Sequence, residues 1–347
     1  MNADEMDPKL VVVGNAIESL CCVEMRTPTF DAGIVRPLAQ MAHDKQGGPP
    51  VLLGAQRLAE RVGRGDAVVI LTGYYFPKIF PKGETDGPVG AAALAHAISK
   101  GLGAATLVLC EKQCLEPVRA SFEAIGLTER PIEEAVCNPL SFAIDTFPTD
   151  NDPQAMIEDR TEEIFSVVKP KAIAAIEKTG VNAKGVPHRI VGERITDGRL
   201  CAEPLIRRAN RSGVLTIGVG DRGNELGLGL VADGTRQYAK YGAVCTCPCQ
   251  GGVAAADVVD VTVVASVSNW GAYGIAAMLA TILGNENVLH DPETEVRVIE
   301  ACYRAGSHDG AFYDNRPWVD GLPARINSEI IDIMGTIVRM AIGHEWH

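Results

Sequence analysis

The sequence lacks any apolar run approaching the roughly 18–20 residues a helix needs to cross a bilayer, which excludes a membrane-spanning helix. It also lacks a run of lysine and arginine. With a net charge of -12, nothing offsets the repulsion between the chain and phosphates, so a nucleic-acid surface is excluded as well. Neither a G-x-S-x-G elbow nor a G-x-x-x-x-G-K-[ST] loop occurs, and serine-hydrolase and P-loop chemistries have no support. Residues 1–9 are polar and acidic, without the basic leader and apolar segment of a secretory signal. The ten cysteines therefore read as reduced core thiols in a cytoplasmic protein, not as a disulfide framework. No internal repeat and no low-complexity segment is present. A small-molecule partner is what these absences leave.

What is present suits a large layered domain. Of 347 residues, 46% are hydrophobic and 22% charged, enough for a sizeable core. Continuous apolar runs at 66–73, 104–110, 172–177 and 214–219 read as buried strands. They alternate with helical stretches at 91–100, 114–126 and 200–211, which predicts an α/β fold with a mostly parallel sheet flanked by helices in Rossmann-like layers. Residues 258–267 are β-branched and lead into Ser268 and Asn269, either of which would cap an apolar helix at 272–283. Further helices are expected at 31–41, 51–62, 292–305 and 328–342. Residues 285–347 would form a C-terminal helical segment packed on one domain spanning 1–347. Residues 10–13 and 21–23 read as an apolar opening, 142–159 as an acidic loop containing proline, and 182–198 as a polar connection.

Chemistry concentrates where strands meet loops. The stretch Thr216-Ile-Gly-Val-Gly-Asp-Arg-Gly-Asn-Glu-Leu-Gly-Leu-Gly229 is a strand running into a glycine-rich turn with Asp221 and Glu225 at its rim. Glycines there would let a ligand approach the backbone, and the acids supply charge and proton-transfer capacity. Gly218-x-Gly220-x-x-Gly223 matches the spacing of a dinucleotide fingerprint. However, the two acids would repel a pyrophosphate, and residues 243–245 offer no acid for the ribose, so nicotinamide or flavin binding is disfavoured. A second loop, residues 72–90, follows the first strand of a βαβ unit and carries Lys82, Glu84 and Asp86. Pro88 would open the next helix, with Thr85 or Asp86 near its cap. Glu177 ends the third strand, and Ser268 and Asn269 end the last. The ordinary reading is that each acid caps its own helix.

Cys245, Cys247 and Cys249 stand at a spacing of two. Zinc sites pair C-x-x-C units and need a fourth ligand, which Cys201, Cys302 or a histidine would have to bring from afar, so buried strand thiols are the favoured reading. His344-Glu-Trp-His347 does not have H-E-x-x-H spacing. His43, His96, His188, His290 and His308 form no motif.

Four stretches together carry a resemblance: Gly83-Glu-Thr-Asp-Gly-Pro-Val-Gly90, Ala174-Ala-Ile-Glu-Lys-Thr-Gly180, Gly218-Val-Gly-Asp-Arg-Gly-Asn-Glu-Leu-Gly-Leu-Gly229 and Val267-Ser-Asn-Trp-Gly-Ala-Tyr273. In order and content they resemble the signatures of the D-glutamate cyclase catalytic domain, over residues 66–283. The resemblance implies a lyase that converts D-glutamate to 5-oxo-D-proline and water. Asp221 and Glu225 are the leading acid/base candidates, followed by Glu84, Asp86 and Glu177. Lys82, Gly220, Arg222, Gly223, Asn224, Ser268 and Asn269 are the substrate-binding candidates. Asp86, Asp221 and Glu225 could also hold Mg²⁺ or Mn²⁺, although no cofactor is required. Family members usually carry glycine at the position of Arg222 and an aromatic-Asn segment in place of Gly185-Val-Pro-His-Arg-Ile-Val-Gly192. A different lactam or cyclic amide as substrate, or a non-catalytic amino-acid-binding protein, therefore stays open, as does self-association. The extra amino-terminal domain of some eukaryotic members is not expected here.

Overall fold

The computed structural model describes residues 7–25, 32–196 and 198–343. The chain opens with three helices, α1 (Pro8–Cys21), α2 (Val35–Gln46) and α3 (Pro50–Arg61). Strand β1 (Ala67–Leu71), α4 (Pro88–Leu102), β2 (Ala105–Cys110) and α5 (Leu115–Ala124) follow, then the short β3 (Thr128–Glu129) and α6 (Ile132–Ala135). The centre of the chain supplies β4 (Ser141–Thr146), α7 (Gln154–Val167), β5 (Ala172–Ile176), α8 (Glu203–Ser212), β6 (Leu215–Gly220), α9 (Ala232–Tyr238) and β7 (Val261–Val264). The chain closes with α10 (Ser268–Leu283), α11 (Pro292–Arg304), the two-residue strands β8 (Trp318–Val319) and β9 (Leu322–Pro323), and α12 (Ala324–Gly343).

Strands β1 to β7 form one sheet in the order β3-β4-β2-β1-β5-β6-β7, with every pairing parallel. Strands β1, β2, β5, β6 and β7 are buried along their whole length. That is the physical reason they read as unbroken apolar runs, because helices cover both faces. One face packs against α1, α3, α4, α5, α10, α11 and α12. Val298, Ile299, Ile331 and Met334 of the last two helices share that core with Val68, Ile70 and Ile217. The other face is covered by α7 and α8 through Ile157, Ile164, Leu205 and Ile206.

The order reverses between β1 and β5, since the chain leaves β1 for β2 and β4 on one side and returns through β5 to β6 and β7 on the other. In open parallel sheets, ligands bind at this switch point, outside the carboxyl ends of the strands. At the far edge, the Gln46 side chain acts as a short substitute strand. Its Nε2 donates to Thr262 O at 2.8 Å and its Oε1 accepts from Thr262 N at 2.9 Å.

Several expectations are corrected. The apolar opening is the helix α1, begun by Asp7, whose carboxylate accepts the Lys9 N–H, and by Pro8 in the first turn. The expected loop at 142–159 holds β4 and most of the first half of α7. Residues 141–143 of β4 are buried, so its Phe142 and Ala143 belong to the sheet despite Asp145 and the prolines that follow. The segment containing Cys245, Cys247 and Cys249 is a series of turns, not a strand. Residues 344–347, which carry the terminal histidine pair, lie outside the described residues. Among the described residues, no helix is long and apolar enough to cross a membrane.

Candidate active site

Four strand ends open onto the switch point: Thr72 after β1, Glu177 after β5, Asp221 after β6 and Ala265 after β7. Glu177 has φ 46, a left-handed conformation that costs a non-glycine residue energy and so marks a backbone held by its surroundings. Its carboxylate accepts a hydrogen bond from Ser268 Oγ at 2.5 Å. Glu177, Asp221 and Glu225 present carboxylate oxygens that all lie within 4.8 Å of one another. The oxygen donors suit a hard cation such as Mg²⁺ or Mn²⁺. The metal-capable trio thus contains Glu177 and not Asp86.

The turn that carries Asp221 and Glu225 folds back on its own strand. A Cβ at Gly220 would come within 2.6 Å of Glu225 Oε2, so glycine here makes room for a carboxyl of the chain itself. Glu225 Oε2 accepts the Gly223 N–H at 2.8 Å. The loop is strapped to the one after β5, with Gly180 N donating to Asn224 O and Leu226 N to Lys178 O. No helix begins at this turn among the described residues, and α9 starts only at Ala232, so the glycine spacing lacks the helix N-terminus on which a pyrophosphate would sit.

Asp86 does not cap its own helix. Its Oδ1 accepts the Asn269 N–H and its Oδ2 the Ser268 N–H, at 2.8 and 2.9 Å, satisfying the first turn of α10. Asn269 returns the favour to α4, its Oδ1 accepting from Gly87 N at 2.9 Å and Gly90 N at 2.7 Å. Asn269 is therefore committed to the frame. Gly90 is required there, because a Cβ would fall 2.6 Å from Asn269 Cα.

Electrostatics distinguish the acids. Desolvation raises Glu84 well above the ordinary carboxylate range, reinforced by Asp320, Asp86 and Asp221 and opposed by Arg222. Burial pushes Asp86 up, with Asp320 and Asp221 adding to it, while the amides of Asn269 and Ser268 pull it back. Glu177 is raised by desolvation and by Asp221 and Glu225, although the residue is only half-buried. Glu225 is pushed up to about 8, chiefly by desolvation and then by Asp221. Arg222 pairs with Asp221, Nη1 to Oδ2 at 2.9 Å. Lys82 turns outward, bonding Glu116 and the Ala305 carbonyl, with 44% of its side chain exposed.

Sequence reasoning passed over three residues. Lys178 is buried with Glu111, also donating to Gly73 O at 2.7 Å, and so ties the ends of β1, β2 and β5 together. Arg199 is buried between Glu203 and Asp150 and donates to Thr179 O at 2.8 Å. Asp320 joins the acids from the turn between β8 and β9, where Asp320 and Gly321 have φ 52 and 83. An Asp-Gly pair between two apolar dipeptides is the sequence signal of such a tight hairpin. The cleft of about 670 Å³ lined by Glu129, Arg130, Asp145 and Arg160 contains none of the site acids.

Human mitochondrial D-glutamate cyclase is 28% identical over 221 residues, which cover 61% of this chain and 32% of that protein. The matched part thus spans about a third of the length of this relative. A serine palmitoyltransferase from S. paucimobilis aligns over 97% of this chain and 85% of that one, at 11% identity and a TM-score of 0.22, too slight a likeness to carry an argument. The family described as "D-glutamate cyclase-like, C-terminal" matches residues 36–335, a span holding every strand of the large sheet and every acid of the site, and the chain belongs to that family.

Proposed function

We propose that this chain is a D-glutamate cyclase-like lyase that converts D-glutamate to 5-oxo-D-proline and water. The observation that carries the reading is the trio Glu177, Asp221 and Glu225 gathered within 4.8 Å at the switch point of a chain of this family. Cyclisation forms the bond between the α-nitrogen and the carbon of the γ-carboxyl group (Cδ) and breaks one C–O bond of that group. Two protons leave the ammonium, and both end on the departing oxygen. Carboxyl groups with separated affinities for protons can run that relay.

In this reading Asp221 receives the first ammonium proton. Glu225, pushed up to about 8, holds a proton at neutral pH and delivers it to the departing oxygen, with Glu177 adjoining both. Protonated carboxyls also let a substrate with two carboxylates approach this acidic site, donating hydrogen bonds to the γ-carboxylate instead of repelling it. Arg222, fixed beside Asp221, supplies the cation for the α-carboxylate. Asn224 and Ser268 border the same space.

The test is NMR of the purified chain with D-glutamate, L-glutamate and each 5-oxoproline enantiomer. Formation of 5-oxo-D-proline from D-glutamate alone, abolished by Asp221→Asn, is the expected result. No interconversion in either direction would sink the proposal. A second reading, action on a larger lactam bearing a further acidic group, rests on the Arg222 cation next to Asp221. Turnover of such a lactam in place of 5-oxoproline would establish it.

A further inference from the structure

The three thiols that the sequence reading assigned to a strand converge on a histidine from another loop. His188 Nε2 lies 3.2 Å from Cys247 Sγ and 3.6 Å from Cys249 Sγ. Cys245 Sγ lies 3.6 Å from Cys247 Sγ and 3.3 Å from Cys249 Sγ. All four atoms fall within 4.8 Å of one another. In a tetrahedron with Zn–S near 2.3 Å and Zn–N near 2.0–2.1 Å, the edges are about 3.8 Å between sulfurs and about 3.6 Å between sulfur and nitrogen. The cage has that size. We propose that His188, Cys245, Cys247 and Cys249 form a structural zinc site.

The surroundings are those of a metal centre. His188 Nδ1 meets the Val186 carbonyl at 2.9 Å, which puts the ring proton on Nδ1 and turns the Nε2 lone pair toward the sulfurs. The Gly251 N–H and Asn182 Nδ2 approach Cys249 Sγ at 3.4 and 3.6 Å, hydrogen bonds that support thiolate charge. A disulfide does not account for the group. The closest sulfurs are 3.3 Å apart, whereas a bonded pair needs about 2.05 Å, and pairing two of three thiols leaves the third and the imidazole with no role. Four protein ligands close the coordination sphere, so the ion is structural, and three soft thiolates with one imidazole select zinc over the hard cations that the acidic trio would take.

The consequence is mechanical. Residues 181–195 and 242–252 are irregular loops, and the metal would clip one to the other beside the turn that carries Asp221 and Glu225. The His188 carbonyl accepts from Asn224 Nδ2 at 3.3 Å, and the neighbouring Arg189 stacks over Phe76 at 4.8 Å. The clip therefore holds the loop that carries Arg189 and accepts the hydrogen bond from Asn224.

Metal analysis of the full chain, purified without chelator, tests this independently of turnover. About one zinc per chain is expected, released when a mercurial titrates the thiols. Cobalt substitution should give the intense red-visible bands of a tetrahedral ion and thiolate charge-transfer bands in the near ultraviolet. Cys247→Ser should lose the metal. His188→Cys, which keeps four ligands, should retain it with a shifted cobalt spectrum, so misfolding of the first variant does not leave the matter unread. A chain without zinc that neither binds added cobalt tetrahedrally nor melts higher with added zinc would overturn the proposal. So would zinc that survives both Cys247→Ser and His188→Ala, or a disulfide between Cys245 and Cys249 found by mass spectrometry.

Discussion

Asp86 and Asn269, 183 residues apart, cap each other's helices: Asp86 accepts the first amides of α10, and Asn269 accepts amides at the start of α4. Neither helix start is complete without the other. Asn269→Ala is expected to cost about 1–3 kcal/mol in denaturant unfolding, because it removes the acceptor for two buried amides. In a double-mutant cycle, Asp86→Asn and Asn269→Ala should be non-additive by about 0.5–3 kcal/mol. Strict additivity would show that the two caps act separately.

Asp221→Asn and Glu225→Gln should each lower kcat by about 10²–10⁴-fold with 5-oxo-D-proline formation as the readout, while circular dichroism stays close to wild type. Wild-type turnover in either variant would remove that residue from the relay.

Glu225 gives stability a pH dependence of known sign. Between 4.5 and about 8 the folded chain holds a proton that the unfolded chain has released. Its contribution to stability is therefore full below pH 4.5 and lost as pH rises through about 8. Melting temperature should fall between pH 4.5 and about pH 8 and level off above it, and Glu225→Gln should flatten that slope. A profile unchanged by the substitution would contradict the shift.

Brief EDTA treatment is expected to leave turnover unchanged, since the relay uses carboxyl protons. Loss of activity that Mg²⁺ or Mn²⁺ restores and Zn²⁺ does not would hand the polarising role to an ion held by Glu177, Asp221 and Glu225.

Lys178→Met should destabilise by about 3–5 kcal/mol, because it strands Glu111 in the interior, and pairing it with Glu111→Leu should recover a large part of that loss. Equal loss in the single and double variants would show that the backbone contacts of Lys178 and Glu111, not their charge pair, matter most.

Strands β1, β2, β5 and β6 were legible because sheet strands covered on both faces leave apolar runs with abrupt ends at Gly73, Glu111, Glu177 and Asp221. The loops that carry the acids were legible for the same reason, as they follow those ends. Strand β4 was not, since its outer half is only half-buried, with Asp145 exposed, and only Phe142 and its neighbours carry the signal. The fourth partner of the cysteines was hidden because His188 precedes Cys245 by a stretch containing β6 and α9, and no spacing rule spans that distance. The partner of Asp86 was hidden likewise, since mutual capping between α4 and α10 is a property of how two helices meet and leaves no local trace. Lys82 was misleading because a lysine beside acids in sequence is free to turn outward.

The treatment of the sheet borders bears on how the protein behaves in concentrated solution. One border is two exposed residues, Thr128 and Glu129, the second of them charged and engaged by Arg119. At the other, the Gln46 amide occupies the backbone N–H and C=O of Thr262. Edge strands left open recruit strands from other chains, and these are blunted at both ends. Gln46→Ala would bare the β7 border, and the expected phenotype is time-dependent growth of light-scattering species on gentle warming, at a temperature where the parent chain stays dispersed.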